Sequence, residues 1–297
     1  MMKIKLLAIT VTTLLFFSCI CQAGAAVKFG VLAKNGPGEV HKKWAATGKY
    51  LTKKIGRRVE IVPLRPDQVL SAVKDRKVDF FLVNSSLFVT AKAKYNAVPV
   101  ATIIKSCQGK ALDSFGGVVF TTANNKKINS FKDLKGKKLA AVRKSSFDGY
   151  QVAYKEFTDI GMDPFMDLYS IEFSGTGDKV VMDVKNKRVD AGTVGTETLE
   201  RMVASGAVAM KDFKIIGKQD HGDFPLVCST QLYPEWPLAK VAATNDGLAT
   251  KVVAALKELK AEHKAASSAN LVGWTDPLDY SNVEALQQSL RVGAYAR

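Results

Sequence analysis

VLSAVKDRKVDFFLVNS, residues 69–85, returns 111 residues later as VVMDVKNKRVDAGTVGT, residues 180–196. Val69 matches Val180, Val73 matches Val184, Lys74 matches Lys185, and the pair Val78-Asp79 matches Val189-Asp190. Each copy has apolar residues four apart, which makes one face of a helix. A basic last turn follows that suits the negative end of the helix dipole, and then a short apolar strand. That is half of a βαβ unit, used twice. Two copies are too few for a solenoid, so the pattern predicts two α/β lobes, each with a parallel sheet. The strand C-terminal ends would then face a shared cleft, which is where α/β folds hold small ligands.

The chain has 297 residues, 47% hydrophobic and 24% charged, enough for two modest cores. Its formal charge is +15. The basic residues lie scattered in pairs, such as Lys42-Lys43, Arg57-Arg58 and Lys137-Lys138. A nucleic-acid-binding stripe with interleaved aromatics would look different, so no nucleic-acid partner is expected. A solvated basic surface that attracts small anions or an anionic membrane face fits better. At the start, Lys3 and Lys5 precede an apolar run at 6–21 and then Ala23-Gly24-Ala25. This reads as a secretory signal peptide over 1–25, too short for a membrane span, and it predicts export. Lipid anchoring through Cys19 or Cys21 is the lesser alternative, because Phe16-Phe17-Ser18 makes a poor approach to such a cysteine. Only Cys107 and Cys228 remain in the mature chain, either as one disulfide or as two separately buried thiols.

In chain order, strands are expected at 27–33, 59–64, 78–83 and 98–104, with a first helix after Asn35-Gly36-Pro37-Gly38 that ends at Gly56. Asn84-Ser85-Ser86 caps the helix that follows the third strand. Past Gly109 the same alternation restarts, with strands at 115–122, 138–142, 168–173 and 189–194. SSFDGY at 145–150 opens a helix, and Thr196 caps another. Strands at 213–216 and 224–229 come last, and the remaining tail reads as helical. A tail of helices alone cannot build a third sheet, so it should pack on the first lobe. The division expected is residues 26–110 plus 230–297 for lobe 1 and 111–229 for lobe 2.

The order of elements, with DLKGKKLAAV at 133–142, SSFDGY at 145–150, GTGDKV at 175–180 and RVDAG at 188–192, resembles the phosphonate-type periplasmic substrate-binding proteins of ABC transporters. The resemblance spans essentially the whole mature chain. YPEWP at 233–237 is similar to the branch of that family used as sensor domains of membrane histidine kinases. The resemblance implies a two-lobed type 2 periplasmic-binding-protein fold that closes on its ligand. It also implies a monomer that hands its ligand to an ABC permease, or alternatively reports it to a sensor kinase, with no cofactor. In the family a Ser/Thr-rich turn at a helix N-terminus contacts phosphate, and Ser145, Ser146, Gly149 and Tyr150 occupy the matching places. This chain departs from the pattern at Gly177, where the family often has His. It departs again at Asn84-Ser85-Ser86, where a Gly-Pro and an aromatic are common. The crossing segments of such folds run side by side, which would bring Cys107 and Cys228 within bridging distance.

Catalytic readings carry less. GTGDKV lacks the third glycine of a dinucleotide fingerprint, no nucleophile elbow or Walker A motif occurs, and His41, His221 and His263 have no ligand spacing. An exported enzyme acting on a small anion is the distant alternative. The expected ligand site is therefore an anion cradle at Ser145 and Ser146, faced by Asn84, Ser85 and Ser86, with Thr176 and Thr196 beside it. Asp190 joins because the family sometimes brings an acidic residue near this position toward the ligand. The competing reading makes all these hydroxyls helix caps only, and makes Asp79 and Asp190 local ion pairs or caps.

Overall fold

The duplicated segment forms the same structure twice. The structure is a computed structural model and describes residues 25–296. The leader expected over 1–25, with Cys19 and Cys21, lies outside the described residues up to residue 24. The repeat helices run Val69–Lys74 and Gly177–Lys185, each burying a valine face. Both chains then reverse through a left-handed residue, Arg76 at φ 53° and Lys187 at φ 56°. In each, the next amide bonds back into the helix, Lys77 to the Ala72 carbonyl and Arg188 to the Asp183 carbonyl. Asp79 then accepts the Lys28 amide at 2.7 Å, and Asp190 accepts the Lys138 amide at 2.8 Å. Each aspartate thereby satisfies the first amide region of the neighbouring strand.

The strands are β1 (Val27–Leu32), β2 (Val59–Leu64), β3 (Phe80–Leu82), β4 (Val98–Cys107), β5 (Lys110–Leu112), β6 (Ser114–Phe115) and β7 (Gly117–Thr122). They continue as β8 (Lys138–Ala141), β9 (Ser170–Phe173), β10 (Ala191–Gly195), β11 (Phe213–Ile216), β12 (Tyr233–Pro234), β13 (Pro237–Lys240) and β14 (Leu271–Thr275). The first sheet has the order β14-β4-β13-β3-β1-β2, with β5 added to β4, and the second has the order β11-β7-β10-β8-β9. In the first, β2, β1 and β3 are parallel and β13 runs antiparallel to β3. In the second, β9, β8 and β10 are parallel and β7 runs antiparallel to β10. The two lobes therefore share one plan. A short antiparallel ribbon, β6 against β12, joins them.

Local chemistry explains the first-lobe core. Helix Pro37–Ile55 begins with Pro in its first turn, buries Val40, Trp44 and Leu51 at helical spacing, and ends at left-handed Gly56. Gly48 lets this helix approach β2, since a Cβ there would come within 3.0 Å of Ile61. The lobes also touch each other through apolar groups. Phe147 of the second lobe lies 5.9 Å from Phe115 and 5.0 Å from Tyr233, ring centre to ring centre.

Four expectations change. The segment 224–229 is irregular: Pro225 has no amide to give a ladder, and only isolated bonds, such as the Ser229 amide to the Gly117 carbonyl, tie it down. The tail is not purely helical, because β13 and β14 enter the first sheet against β4. Thr196 caps no helix; Glu197 takes φ 75°, the helix starts at Thr198, and the Thr196 hydroxyl accepts the Gly116 amide instead. Cys107 and Cys228 form no disulfide and are both free and buried. The crossing ribbon pairs Phe115 with Tyr233, whereas Cys107 ends a strand inside the first sheet, and the Cys228 thiol lies 3.1 Å from the Thr230 carbonyl.

Two outcomes are expected. Alkylation of the denatured, unreduced protein followed by peptide mass mapping modifies both Cys107 and Cys228. Asp79→Ala and Asp190→Ala each lower stability in urea unfolding by about 0.5–1.5 kcal/mol, the net worth of a hydrogen bond whose exposed amide can turn to water, and leave ligand affinity unchanged.

Candidate functional site

The C-terminal ends of β1, β8 and β10 open onto one cavity of about 240 Å³ between the lobes. Leu32, Lys34, Trp44 and Lys105 line it from the first lobe, and Val142, Asp148, Thr196 and Glu197 from the second. Glu235 and Trp236, just past the crossing ribbon, close the back. A side recess beneath Trp236 is shared by Asn84, Ser145, Ser146 and Asp148.

The cavity is dominated by ion pairs that cross between lobes. Lys34 reaches Asp148 at 2.7 Å, and Asp148 also accepts the Ser146 hydroxyl at 3.0 Å. The carboxylate presses on Gly195, where a Cβ would come within 2.4 Å of it, so a glycine is required there. Burial works to raise the Asp148 carboxyl, but the Lys34 charge and hydrogen bond, the Ser146 hydroxyl and nearby Lys105 together hold it below the ordinary carboxylate range. Deeper in, Lys105 lies 2.9 Å from Glu197 and 3.2 Å from Glu235. Burial disfavours its charge, yet Glu235 and Glu197 outweigh burial and keep the ammonium protonated. One lysine cannot fully offset two carboxylates. Glu235, 2% exposed, has its pKa raised by burial, which exceeds the pull of Lys105. Lys43 pairs with Glu39, and Arg201 with Asp178. Each of the four basic side chains lining this cavity therefore has a carboxylate partner.

Of the residues expected here, Thr196 lines the cavity, and Asn84, Ser145 and Ser146 line the recess. Asn84 accepts the Leu87 amide and Ser146 accepts the Gly149 amide, both as helix caps. The others serve the framework. Ser85 donates to the Pro234 carbonyl, and Ser86 donates to Gln151 across the lobe boundary. Gly149 packs against Val142 with no room for a side chain. Tyr150 is buried between Tyr154 and Phe173, outside the cavity. Thr176 caps the second repeat helix. Asp190 stands at the opposite end of β10 from the cavity, where it holds the Lys138 amide. It is thereby corrected from a ligand candidate to a strand cap. The sequence reading missed Lys34, Lys105, Asp148, Glu197 and Glu235. Lys34 follows β1 directly, so the strand-end rule that selected Asn84 would also have found it. Asp148 and Glu235 lie inside the motifs SSFDGY and YPEWP.

The sign of the pH effect follows from the depressed Asp148 pKa. Its contribution to closure is fully present above about pH 4, the ordinary carboxyl value, and fades as pH falls through the lower folded value. Lys34→Met strands the carboxylate at neutral pH and should cost about 1–3 kcal/mol of closure. Small-angle scattering of ligand-free protein is expected to show separation of the lobes in that variant at pH 7, and in the parent only in strong acid.

The family model described as "ABC transporter, phosphonate, periplasmic substrate-binding protein" matches residues 29–281. The tetrathionate sensor histidine kinase TtrS of Salmonella typhimurium is 31% identical over 264 residues, 88% of this chain and 43% of that protein, so the chain spans less than half of that relative's length. PhnD1 of Prochlorococcus marinus in complex with methylphosphonate superposes with a TM-score of 0.72 at 15% identity, covering 90% of this chain and 98% of that one. A Xanthomonas citri protein bound to ATP gives 0.73 at 17% identity, covering 92% and 99%. A binding-protein component of a Pseudomonas aeruginosa ABC phosphonate transporter gives 0.70 at 18%, covering 92% and 89%. These likenesses establish the two-lobed type 2 periplasmic-binding-protein fold. With the family match over most of its length, the chain belongs to the phosphonate-type periplasmic substrate-binding protein family of ABC transporters.

Proposed function

We propose that the chain is a periplasmic ligand receptor that closes its lobes on a small anion and delivers it to an ABC permease. The observation that carries this reading is Asp148, a carboxylate already seated between Ser146 and Lys34 at the ends of β1 and β8. An incoming oxyanion competes for those two donors, with Ser145, Asn84 and Thr196 as further neutral donors nearby. The leader over 1–25 supports export, and strand membership supports a discontinuous first lobe, 26–110 plus 230–297, around a second at 111–229. The family's description as a substrate-binding protein supports a binding protein rather than an enzyme.

The second reading is ligand sensing for a histidine kinase. It is favoured by the 31% identity to a tetrathionate sensor, against 15–18% for the phosphonate-transport structures. Neighbouring genes separate the two: a permease with an ATPase, or a kinase with a response regulator.

Calorimetry with methylphosphonate, tetrathionate and inorganic phosphate is the direct test. One of these anions is expected to bind, raise the melting temperature and preserve the compact scattering profile. Ser145→Ala with Ser146→Ala should weaken it by about 1–3 kcal/mol. Asp148→Asn, which removes the competing charge, should strengthen it by about 1–3 kcal/mol. Full affinity in the double serine variant, or a tightly bound ligand without an anionic group, would refute the anion assignment.

A further inference from the structure

Six large apolar side chains are exposed among the described residues, and five of them, Ile160, Phe165, Met166, Tyr169 and Phe173, fall within fourteen consecutive positions. They gather on the outer edge of the second lobe. Phe173 is on β9, the edge strand, and Phe165 and Met166 sit on the single helical turn Pro164–Asp167 that precedes it. Met166 is 81% and Tyr169 74% exposed. The patch is backed by aromatic rings rather than by mobile chain. Tyr154 packs edge-on against Phe165, and Tyr150, itself buried, packs against both Tyr154 and Phe173. A contiguous exposed apolar surface of this kind marks an interaction site.

The charges around it identify the partner. The Lys138 ammonium lies 5.8 Å from the Tyr169 ring centre and the Lys144 ammonium 5.7 Å from that of Phe165. Neither lysine has a carboxylate within ion-pair distance among the described residues, although Lys34, Lys105 and Arg201 in the cleft all do. The acids of the patch are turned to other work. Asp163 accepts the Phe165 amide, Asp167 takes the Asp163 amide and Lys135, and Asp159 pairs with Lys155. Only Glu172 faces out without such a partner. Rigid Phe and Tyr rings, a protruding Met and flanking unpaired lysines are the composition of a surface that lies in a lipid interface, with rings at headgroup depth and ammoniums on anionic headgroups. Two alternatives fit less well. A two-fold dimer through this face would set Lys138 and Lys144 against their own copies, and the centre of a protein interface is depleted in lysine. No described helix is long and apolar enough to cross a membrane, so the contact is peripheral.

We propose that the edge formed by Phe165, Met166, Tyr169 and Phe173, with Lys138 and Lys144, docks the second lobe onto an anionic lipid surface. This does not depend on which ligand the cleft holds. None of these six residues lines the cavity or the recess, so docking through them engages no cavity side chain.

Vesicle co-sedimentation tests it, using the full chain with vesicles of phosphatidylcholine alone or mixed with phosphatidylglycerol, at low and high salt. Binding is expected on the mixed vesicles and should fall with salt. Lys138→Gln and Lys144→Gln should each lower the partition roughly fivefold. Met166→Ser with Tyr169→Ser should lower it at least as much, with an unchanged melting temperature because both side chains are exposed. Because every variant keeps the N-terminal segment, vesicle binding that all of them share with the parent is assigned to that segment and overturns the proposal. Equal binding to neutral vesicles overturns it as well. So does a concentration-dependent dimer in sedimentation velocity that Met166→Ser with Tyr169→Ser abolishes, in a protein that ignores vesicles.

Discussion

Lys34 and Asp148 come from different lobes and lie 114 positions apart in the chain, yet their ion pair decides how the cleft is shaped. It holds the end of β1 against the turn after β8, and so fixes the distance between the two sets of strand ends. Three local features follow from it. Gly195 must be glycine because the carboxylate occupies the space of a Cβ. Ser146 both caps its own helix and donates to Asp148, so its single O–H donor is already committed. Lys34 and Ser146 are thus already engaged by an internal anion, and on the reading proposed above ligand binding exchanges that carboxylate for another oxyanion.

The global charge and the local charge point in different directions, and both have consequences. A formal +15 draws anions toward the protein from a distance, an effect that salt weakens. Inside the cavity the same sign does not persist, because Glu39, Asp148, Asp178, Glu197 and Glu235 neutralise the cations that line it. Attraction at long range therefore adds to the rate of encounter, while selection depends on which ion pairs a ligand can replace without leaving a buried charge alone.

The repeat was the most legible part of the fold because its signal has two independent components, helical spacing of valines and a fixed V-D step, and both return at the same offset. The structure adds a third component, the left-handed residues Arg76 and Lys187, which neither composition nor hydropathy reveals. β13 and β14 escaped notice because PLAK and LVGWT are mostly apolar runs of only four and five residues, where periodicity cannot separate strand from helix. The serine and threonine positions were legible as helix caps, but capping and ligand contact use the same residue types at the same strand ends. Only the hydrogen-bond partners tell them apart, and these assign Ser85 and Ser86 to the framework. Asp190 illustrates the reverse error: its twin Asp79 already had the plainer explanation, and the repeat itself argued that both should do the same work.

The lobe junction shows why closure is a balance rather than a fixed state. The ribbon of β6 and β12 is only two residues wide on each side, too slight to hold the lobes in one orientation by backbone pairing. What holds them is the apolar contact of Phe147 with Phe115 and Tyr233, the Ser86 bond to Gln151, and the two lysines that reach across, Lys34 and Lys105. A ligand can shift such an equilibrium only by its differential affinity for the two states. Because the ion pairs already favour the closed arrangement, an anion that displaces Asp148 gains less from closing than it would in a cleft of unpaired cations. The surplus carboxylate at Glu235 works against the same closed state, since burial raises its pKa and its charged form is disfavoured there. Opposing terms of this kind, set on either side of a narrow ribbon, determine how strongly the closed arrangement is favoured, and a ligand moves that balance only by the difference in its affinity for the two states.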